Sequence, residues 1–273
     1  MKIFLTGASG FLGKNFINSL IFKNYRVFAP SRKKRKSKKI RWLNGDFDKN
    51  WDNQLKKSDI LVHFASTGIN EKNVKNIYEI NYFKSLNLLH NAIKNKCKKW
   101  LIISTSSEYG FNSKKMIKIS TKSNRIPKTD YGMSKALFTD ASLRLAKKNN
   151  CKCRIMRIFP FHGKNENKNR LYPSINESIL KGKNFKINNP NEIRSFSNVK
   201  KIVEILIDAL NFEKRKFNNN QIWHVSENKI QSVQEFTKKI WKDKNAKGKL
   251  IMNKKKKKFF THISDKRSLW QTN

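Results

Sequence analysis

Tyr131 and Lys135 are the residues of this sequence whose types and spacing best suit chemistry. They are four positions apart at the predicted start of a helix, so their side chains share one helical face. A phenol with an ordinary pKa of about 10 is a weak acid–base group at neutral pH. A neighbouring ammonium favours the phenolate and lowers that pKa, which lets the tyrosine exchange a proton with a carbinol oxygen. The pair therefore predicts proton transfer at a hydroxyl-bearing carbon.

Further hydroxyl-bearing residues lie in the segment Ser-Thr-Ser-Ser-Glu-Tyr-Gly at residues 104–110. The apolar run Trp100–Ser104 predicts a buried strand, so these hydroxyls emerge at its carboxyl end, where open α/β sheets bind ligands. Ser106 and Ser107 are candidates for hydrogen bonds to a substrate, although serines also end strands and form turns. Glu108 is expected to point away from the reaction.

Gly7, Gly10 and Gly13 have the spacing of a dinucleotide-binding turn. They follow an apolar run at residues 2–6 and precede apolar residues at helical spacing, which predicts a strand, a turn and a helix. Glycine permits the turn and a close backbone approach to phosphate, and the first N–H groups of the helix face an anion. The segment therefore favours a pyrophosphate site over a simple turn.

The end of the second predicted strand bears on the choice of nicotinamide cofactor. An acidic residue there binds the ribose 2′-hydroxyl of NAD, whereas a basic residue accommodates the 2′-phosphate of NADP. Residues 27–33 read Val-Phe-Ala-Pro-Ser-Arg-Lys and contain no acid. The planar fork of Arg32 suits a phosphate, although Arg32 is also one more cation in a basic loop. The pattern favours NADP and leaves NAD open.

Strands and helices alternate along the first part of the chain, which predicts an α/β fold with a doubly wound parallel sheet. The predicted strands are residues 2–6, Tyr25–Ala29, Ile60–Ala65, Trp100–Ser104, Arg154–Phe159 and Gln221–Val225. The predicted helices run from residue 11, over Ile77–Ile93, and over Ser134–Lys147, Ser197–Leu210 and Val233–Trp241.

The alternation of strands and helices is less regular after Phe159. Pro160, Pro173 and Pro190 indicate loops there that face a substrate. We therefore predict a Rossmann-type cofactor-binding domain over residues 1–159. Residues 160–273 are predicted to form mainly a smaller substrate-binding domain, and segments around 195–225 are candidates for a return to the first domain.

Composition excludes several classes of protein. The chain has 273 residues, 37% of them hydrophobic, which is enough for a core and argues against wholesale disorder. Its apolar runs are far shorter than the roughly 20 residues of a membrane helix, and a strand at the amino terminus leaves no room for a signal peptide. Three cysteines predict neither a disulfide framework nor a zinc site, so we expect a reduced, cytoplasmic protein without a metal.

The formal net charge of +42 suggests acidic partners. The basic runs Arg32–Lys36 and Lys254–Lys258 contain no interleaved aromatic residues of the kind that stack on bases, so nucleic acid is not the expected partner. A positive field would still concentrate anionic small molecules such as nucleotides.

With these motifs in place, the chain resembles the extended short-chain dehydrogenase/reductase family, the NAD(P)-dependent epimerase/dehydratase group that acts mostly on nucleotide sugars. The resemblance implies a catalytic triad of Thr105, Tyr131 and Lys135. It implies a cofactor site formed by Gly7, Ser9, Gly10, Phe11, Leu12, Gly13, Arg32, Asp46, Phe47, Phe64, Ala65, Asn81 and Lys135.

The resemblance extends to the substrate side of the chain. It implies substrate contacts from Ser106, Ser107, His162 and Arg194, with Arg194 gripping the diphosphate of a nucleotide sugar. His162 stands where the family usually has a tyrosine. Lys200 and Lys201 stand where the family commonly has two acidic residues. Members of the family commonly dimerise through two helices, which predicts a homodimer.

Three reactions fit hydride transfer with a triad of this kind: reduction of a keto sugar, 4-epimerisation and 4,6-dehydration. Family dehydratases carry an Asp-Glu pair after the threonine, where this chain has Ser106 and Ser107, so dehydration is not expected. The resemblance and Arg32 together predict an NADPH-dependent reductase of a 4-keto-6-deoxy sugar nucleotide. The alternatives are an NAD-dependent 4-epimerase and, in another class, a non-catalytic nucleotide- or RNA-binding protein.

Overall fold

A seven-stranded parallel sheet forms the centre of the protein, in a computed structural model that describes residues 1–21, 25–38, 40–68, 71–110, 118–213, 218–253 and 262–270. Its strands are β1 (Lys2–Thr6), β2 (Arg26–Ser31), β3 (Ile40–Asn44), β4 (Ile60–His63), β5 (Lys99–Thr105), β6 (Lys152–Ile158) and β7 (Gln221–Val225). The spatial order is β7-β6-β5-β4-β1-β2-β3, and all neighbours are parallel. The predicted doubly wound parallel sheet is confirmed.

The helices cover both faces of the sheet. They are α1 (Phe11–Ile21), α2 (Asp52–Lys56), α3 (Val74–Tyr78), α4 (Ser85–Lys94), α5 (Asp130–Lys148), α6 (Leu171–Leu180), α7 (Val199–Asp208) and α8 (Val233–Asp243). A π-helical segment, Glu79–Lys84, joins α3 to α4. Successive strand residues point to opposite faces, so Ile3 and Leu5 pack in one apolar cluster and Phe4 packs in the other. Burial on both faces explains why β1 reads as a continuous apolar run.

The sequence prediction missed several elements, among them β3, α2, α6 and the short strands of the carboxyl-terminal part. Strand β3 lies at the sheet edge, and its short, partly charged sequence carries little apolar pattern apart from Ile40 and Leu43, which are buried. Helix α6 occupies a region that we expected to be loop because of Pro173. That proline lies in the first helical turn, where the backbone N–H has no partner within the helix and a proline is tolerated.

The carboxyl-terminal part of the chain builds a smaller cluster around α6 and α8, with Ile175, Val233 and Phe236 at its centre. Short strands join this part: Phe185–Ile187 pairs with Leu250–Met252, and Ile193–Ser195 pairs with Ile230–Ser232. The chain also returns to the seven-stranded sheet, because β7 pairs with β6 and α7 packs beside α1. The domain boundary at residue 159 stays a prediction, and the basic run Lys254–Lys258 lies outside the described residues.

No helix among the described residues is long and apolar enough to cross a membrane. In the same part of the chain, no group of three or more His, Cys, Asp or Glu side chains is placed to hold a metal ion.

Candidate active site

The first turn of α5 carries Tyr131 and places it against the end of β5. Thr129 caps the helix, its side-chain oxygen accepting a hydrogen bond of 3.1 Å from the Gly132 N–H. A Cβ at Gly132 would lie 2.6 Å from the Ser107 carbonyl oxygen, so glycine allows the helix to approach the turn Ser106–Tyr109. The structure thereby brings Tyr131 together with the hydroxyl segment that the sequence singled out.

Thr105 ends β5 and forms part of this group. Its Oγ1 accepts a hydrogen bond from the Ser107 N–H at 3.2 Å and donates one to the Ser107 Oγ at 3.1 Å. The Thr105 and Ser66 hydroxyls lie close enough to the Tyr131 side chain to lower its pKa. Ser66, in the loop after β4, is a site residue that the sequence analysis missed because no motif marks it. Ser106 is half-buried beside Ser107 in the same turn.

The pKa of Tyr131 is raised, which is opposite to the direction expected from the sequence. Burial is the main cause, and the nearby Thr105 and Ser66 hydroxyls act against it. Lys135, on the same face of α5, is 3% exposed, and burial lowers the pKa of its ammonium to about 8. The charge of the Glu108 carboxylate opposes that decrease. Desolvation therefore outweighs the neighbouring charges at both groups.

Asn81 connects the loop after β4 to α5 from within the π-helical segment. Its Oδ1 accepts hydrogen bonds from the Thr67 N–H at 2.8 Å and the Ser66 Oγ at 3.1 Å, and its Nδ2 donates to the Ser134 Oγ at 3.1 Å. Single π-helical turns inside helices are frequent at functional sites. Predicted as a cofactor contact, Asn81 lies buried here and orients Ser66.

The glycine turn forms an open cradle at the carboxyl ends of β1 and β4. Gly7 has a φ of +70°, and a Cβ on it would lie 2.6 Å from the Ala65 nitrogen. A Cβ on Gly13 would lie 2.2 Å from the Gly7 carbonyl oxygen, whereas one on Gly10 would meet that oxygen alone, at 3.3 Å. Gly7 therefore allows the turn to approach the backbone of residues 64–65, and Gly13 allows α1 to approach the turn. Gly10 leaves room in front of the α1 N-terminus. This arrangement fits a bound pyrophosphate.

Four other predicted cofactor residues lie near the glycine turn in the chain or across from it. The Ala65 N–H donates to the Thr6 Oγ1 at 3.2 Å, which holds residues 64–65 across from the glycine turn. Phe11 stacks on Phe161 with ring centres 5.0 Å apart. Phe64 packs edge-on against the core residue Phe16, and Leu12 packs against the apolar cluster to which Phe16 belongs.

Asp46 and Phe47, two further predicted cofactor residues, follow β3. The Asp46 Oδ1 accepts a hydrogen bond from the Phe47 N–H at 2.8 Å, and its Oδ2 lies 3.4 Å from the Lys84 Nζ. Phe47 is buried edge-on against the ring of His63. The Asp46 carboxylate is thus held beside a lysine of the π-helical segment.

A cavity of about 440 Å³ adjoins the glycine turn at the end of β2. Ser9, Lys14 and Arg35 are among its lining residues, whereas Arg32 does not line it. The Arg35 Nε donates to the Ser31 Oγ at 3.2 Å, and its guanidinium lies 5.3 Å from the centre of the Trp42 ring. The structure therefore offers Arg35 as the fixed cation of this cavity. The sequence rule identified Arg32 because it considers only the strand end.

Beneath Thr105, a buried ion-pair network ties β5, β6 and α5 together. The Glu108 Oε2 lies 2.6 Å from an Nη of Arg157 and 3.1 Å from an Nη of Arg125. The Oε1 accepts hydrogen bonds from the Ser104 and Thr139 hydroxyls. Arg157 and Glu108 are both fully buried, so each charge depends on the other. Sequence spacing gave no signal of this network, since the two arginines are 17 and 49 residues from Glu108 in the chain.

His162 and Arg194, two of the four predicted substrate residues, have different surroundings. His162 packs in an aromatic cluster, with ring centres 4.8 Å from both Tyr172 and Phe236, and burial lowers its pKa. Arg194 lines a second cavity, of about 280 Å³, between α6 and the short strands. There it pairs with Glu192, a residue that the sequence analysis did not consider.

Comparison with known proteins gives consistent results. A sequence profile of the NAD dependent epimerase/dehydratase family matches residues 3–225. UDP-glucose 4-epimerase of Vibrio cholerae is 25% identical over 88% of this chain and 74% of its own length. GDP-6-deoxy-D-talose 4-dehydrogenase of Aggregatibacter actinomycetemcomitans is 28% identical over 76% of this chain and 69% of its own length.

The fold has close counterparts among solved structures. UDP-glucuronic acid 4-epimerase from Bacillus cereus, solved in complex with NAD, superposes with a TM-score of 0.85 at 20% identity. The match covers 100% of this chain and 93% of that one. At this identity the likeness shows a shared fold, and the family assignment comes from the sequence profile.

Proposed function

This chain belongs to the NAD-dependent epimerase/dehydratase family, and on that premise we propose that it is an NAD(P)-dependent nucleotide-sugar oxidoreductase. The proposed reaction is reduction of a 4-keto-6-deoxy sugar nucleotide, with Tyr131 as the acid–base group. One observation carries the proposal: the first turn of α5 packs Tyr131 against the hydroxyl-bearing turn at the end of β5, and Tyr131 shares a helix face with buried Lys135. The glycine cradle lies at the carboxyl end of the same sheet.

In a carbonyl reduction, each residue of the proposed triad has a separate role. The nicotinamide cofactor, when bound in the glycine cradle, supplies a hydride. Tyr131 donates its proton to the carbonyl oxygen, and the Thr105 hydroxyl orients and polarises that oxygen. The Lys135 ammonium, charged in most molecules at pH 7 because its pKa is about 8, stabilises the phenolate that remains.

A general acid must hold its proton before the step, and a partly buried phenol with a raised pKa is protonated at neutral pH, the form from which a carbonyl reduction starts. Dehydration has less support, because the half-buried hydroxyls of Ser106 and Ser107 are not acid–base groups at that pH. The relative from Aggregatibacter actinomycetemcomitans, a GDP-6-deoxy-D-talose 4-dehydrogenase, supports redox chemistry at C4 of a 6-deoxy sugar.

For the cofactor, we propose NADP in preference to NAD. Arg35, Lys14 and Ser9 meet in the cavity beside the glycine turn, and a guanidinium held by Ser31 and Trp42 suits a 2′-phosphate. Arg32, which we first expected to carry this role, does not line the cavity and is the weaker candidate.

The second candidate is an NAD-dependent 4-epimerase, favoured by the similarity to the UDP-glucose 4-epimerase of Vibrio cholerae over 88% of this chain. The two functions separate in one assay, which measures NADPH consumption with a panel of 4-keto sugar nucleotides bearing UDP, dTDP and GDP. Stoichiometric consumption supports the reductase. Interconversion of C4 epimers without consumption contradicts it and supports the epimerase.

We also propose a homodimer formed through the π-helical segment and α5. Phe83 is 58% exposed, and Met133 and Leu137, one turn apart on α5, are each 41% exposed. A second copy of this chain would cover these apolar side chains, and a Leu137→Lys substitution should then shift the mass measured by light scattering to that of a monomer. The cytoplasmic location stays a prediction from the sequence.

A further inference from the structure

The cavity between α6 and the short strands contains a fork-to-fork ion pair. The Glu192 Oε1 lies 2.7 Å from the Arg194 Nε, and its Oε2 lies 2.7 Å from the Arg194 Nη2. Both side chains line the cavity together with Asn188, Lys186 and Phe185. Two parallel hydrogen bonds of this length define the orientation of a guanidinium plane.

The pair is buried unevenly. The Glu192 side chain is 12% exposed and the Arg194 side chain is 35% exposed, so the carboxylate lies beneath the guanidinium. Among the described residues, no other side chain donates a hydrogen bond to the Glu192 carboxylate. If Arg194 swung away, a largely buried carboxylate would lose its counter-charge, which is costly. Arg194 is therefore anchored.

The anchored guanidinium still has hydrogen-bond donors to offer. Arginine has five N–H groups, and the carboxylate uses one on Nε and one on Nη2. The two on Nη1 and the second on Nη2 form the other edge of the same plane. That edge matches two oxygens of a phosphate in bidentate geometry.

We propose that Glu192 is a positioning residue that fixes Arg194 for the diphosphate of a nucleotide ligand, and this proposal rests on the function proposed above. Because Arg194 is fixed before the ligand arrives, little side-chain entropy is lost on binding. The contribution of Glu192 should therefore appear in affinity for the diphosphate and be absent from affinity for the nucleoside. Removing it should weaken diphosphate binding even though the cavity becomes more positive.

The test is isothermal titration of the full chain with UDP, dTDP and GDP, and with the matching nucleosides. For the diphosphate that binds most tightly, E192Q should weaken binding about tenfold and leave nucleoside affinity unchanged. E192D keeps the charge but is too short for both bonds, so it should weaken binding as well. R194Q should weaken diphosphate binding further, and E192Q should have no added effect in that background. E177Q, which removes an exposed carboxylate on α6 that pairs with Lys181, is the matched control.

The outcomes separate this inference from the proposed function. If the wild-type chain binds no nucleoside diphosphate, the proposed function fails. If the wild type binds one and E192Q binds it equally or more tightly, the positioning role is wrong. Wild-type affinity in E192D also overturns it, because charge alone would then account for any effect of E192Q. Equal losses for diphosphate and nucleoside would show a merely structural role.

Discussion

Lys135 should make the stability of this protein depend on pH in a way that one substitution removes. Burial lowers the pKa of its ammonium from 10.5 to about 8. The folded state therefore binds fewer protons than the unfolded state between these two pH values, so Lys135 makes folding more favourable as pH rises through that window. The destabilising contribution is fully present below pH 8 and disappears above about pH 10.5.

The size of the effect follows from the two pKa values. One pKa unit corresponds to about 1.4 kcal/mol, so the shift amounts to about 3 kcal/mol over the whole window. We expect the free energy of unfolding of the wild type, relative to Lys135→Met, to rise by about that amount between pH 7.5 and pH 10.5. Other lysines titrate equally in both proteins and cancel in the difference.

Urea unfolding followed by tryptophan fluorescence at half-unit pH steps measures this difference. Lys147→Met is the matched control, since Lys147 is an exposed lysine on the same helix and should run parallel to the wild type. Parallel curves for the wild type and Lys135→Met would refute the reasoning, because Lys135 would then titrate as it does in the unfolded chain.

Three further predictions concern other parts of the site. Gly13→Ala should abolish the rise in melting temperature that NADPH gives the wild type, because the new Cβ would lie 2.2 Å from a carbonyl oxygen of the glycine turn; an unchanged rise would contradict the cradle. Arg35→Gln should raise the KM for NADPH about tenfold and leave that for NADH unchanged, whereas Arg32→Gln should change both little; the reverse pattern in steady-state kinetics would return the role to Arg32. Arg157→Met should lower the free energy of unfolding in urea by about 3 to 5 kcal/mol, because it leaves the Glu108 carboxylate buried with one partly exposed partner, and a loss below 1 kcal/mol would be inconsistent with a buried pair.

Local spacing predicted the parts of the fold and the site that depend on neighbours in the chain. The strand, turn and helix around Gly7, Gly10 and Gly13, and the shared helix face of Tyr131 and Lys135, are consequences of backbone periodicity alone. Most strands of the sheet were also predictable, since burial on both faces demands continuous apolar runs. The edge strand β3 was not, because an edge strand needs fewer apolar residues.

What the sequence did not predict depends on contacts between distant segments. The Glu108–Arg157 ion pair and the position of Arg35 against Trp42 require the folded sheet before any partner can be named. The direction of the Tyr131 pKa was wrong for the same reason. The burial that the tertiary structure imposes has the largest effect on the pKa of Tyr131, and it raises that pKa.

The most direct test of the account is a measurement of hydride transfer. The protein is incubated with a 4-keto-6-deoxy sugar nucleotide and NADPH carrying deuterium at C4 of the nicotinamide, and the sugar product is examined by mass spectrometry. We predict one deuterium on the product sugar for the wild type and at least a hundredfold slower transfer for Tyr131→Phe, since general acid catalysis contributes about 10² to 10⁴ in rate. Transfer at an equal rate in the two proteins, or no transfer with any 4-keto sugar nucleotide or cofactor stereoisomer, would contradict it.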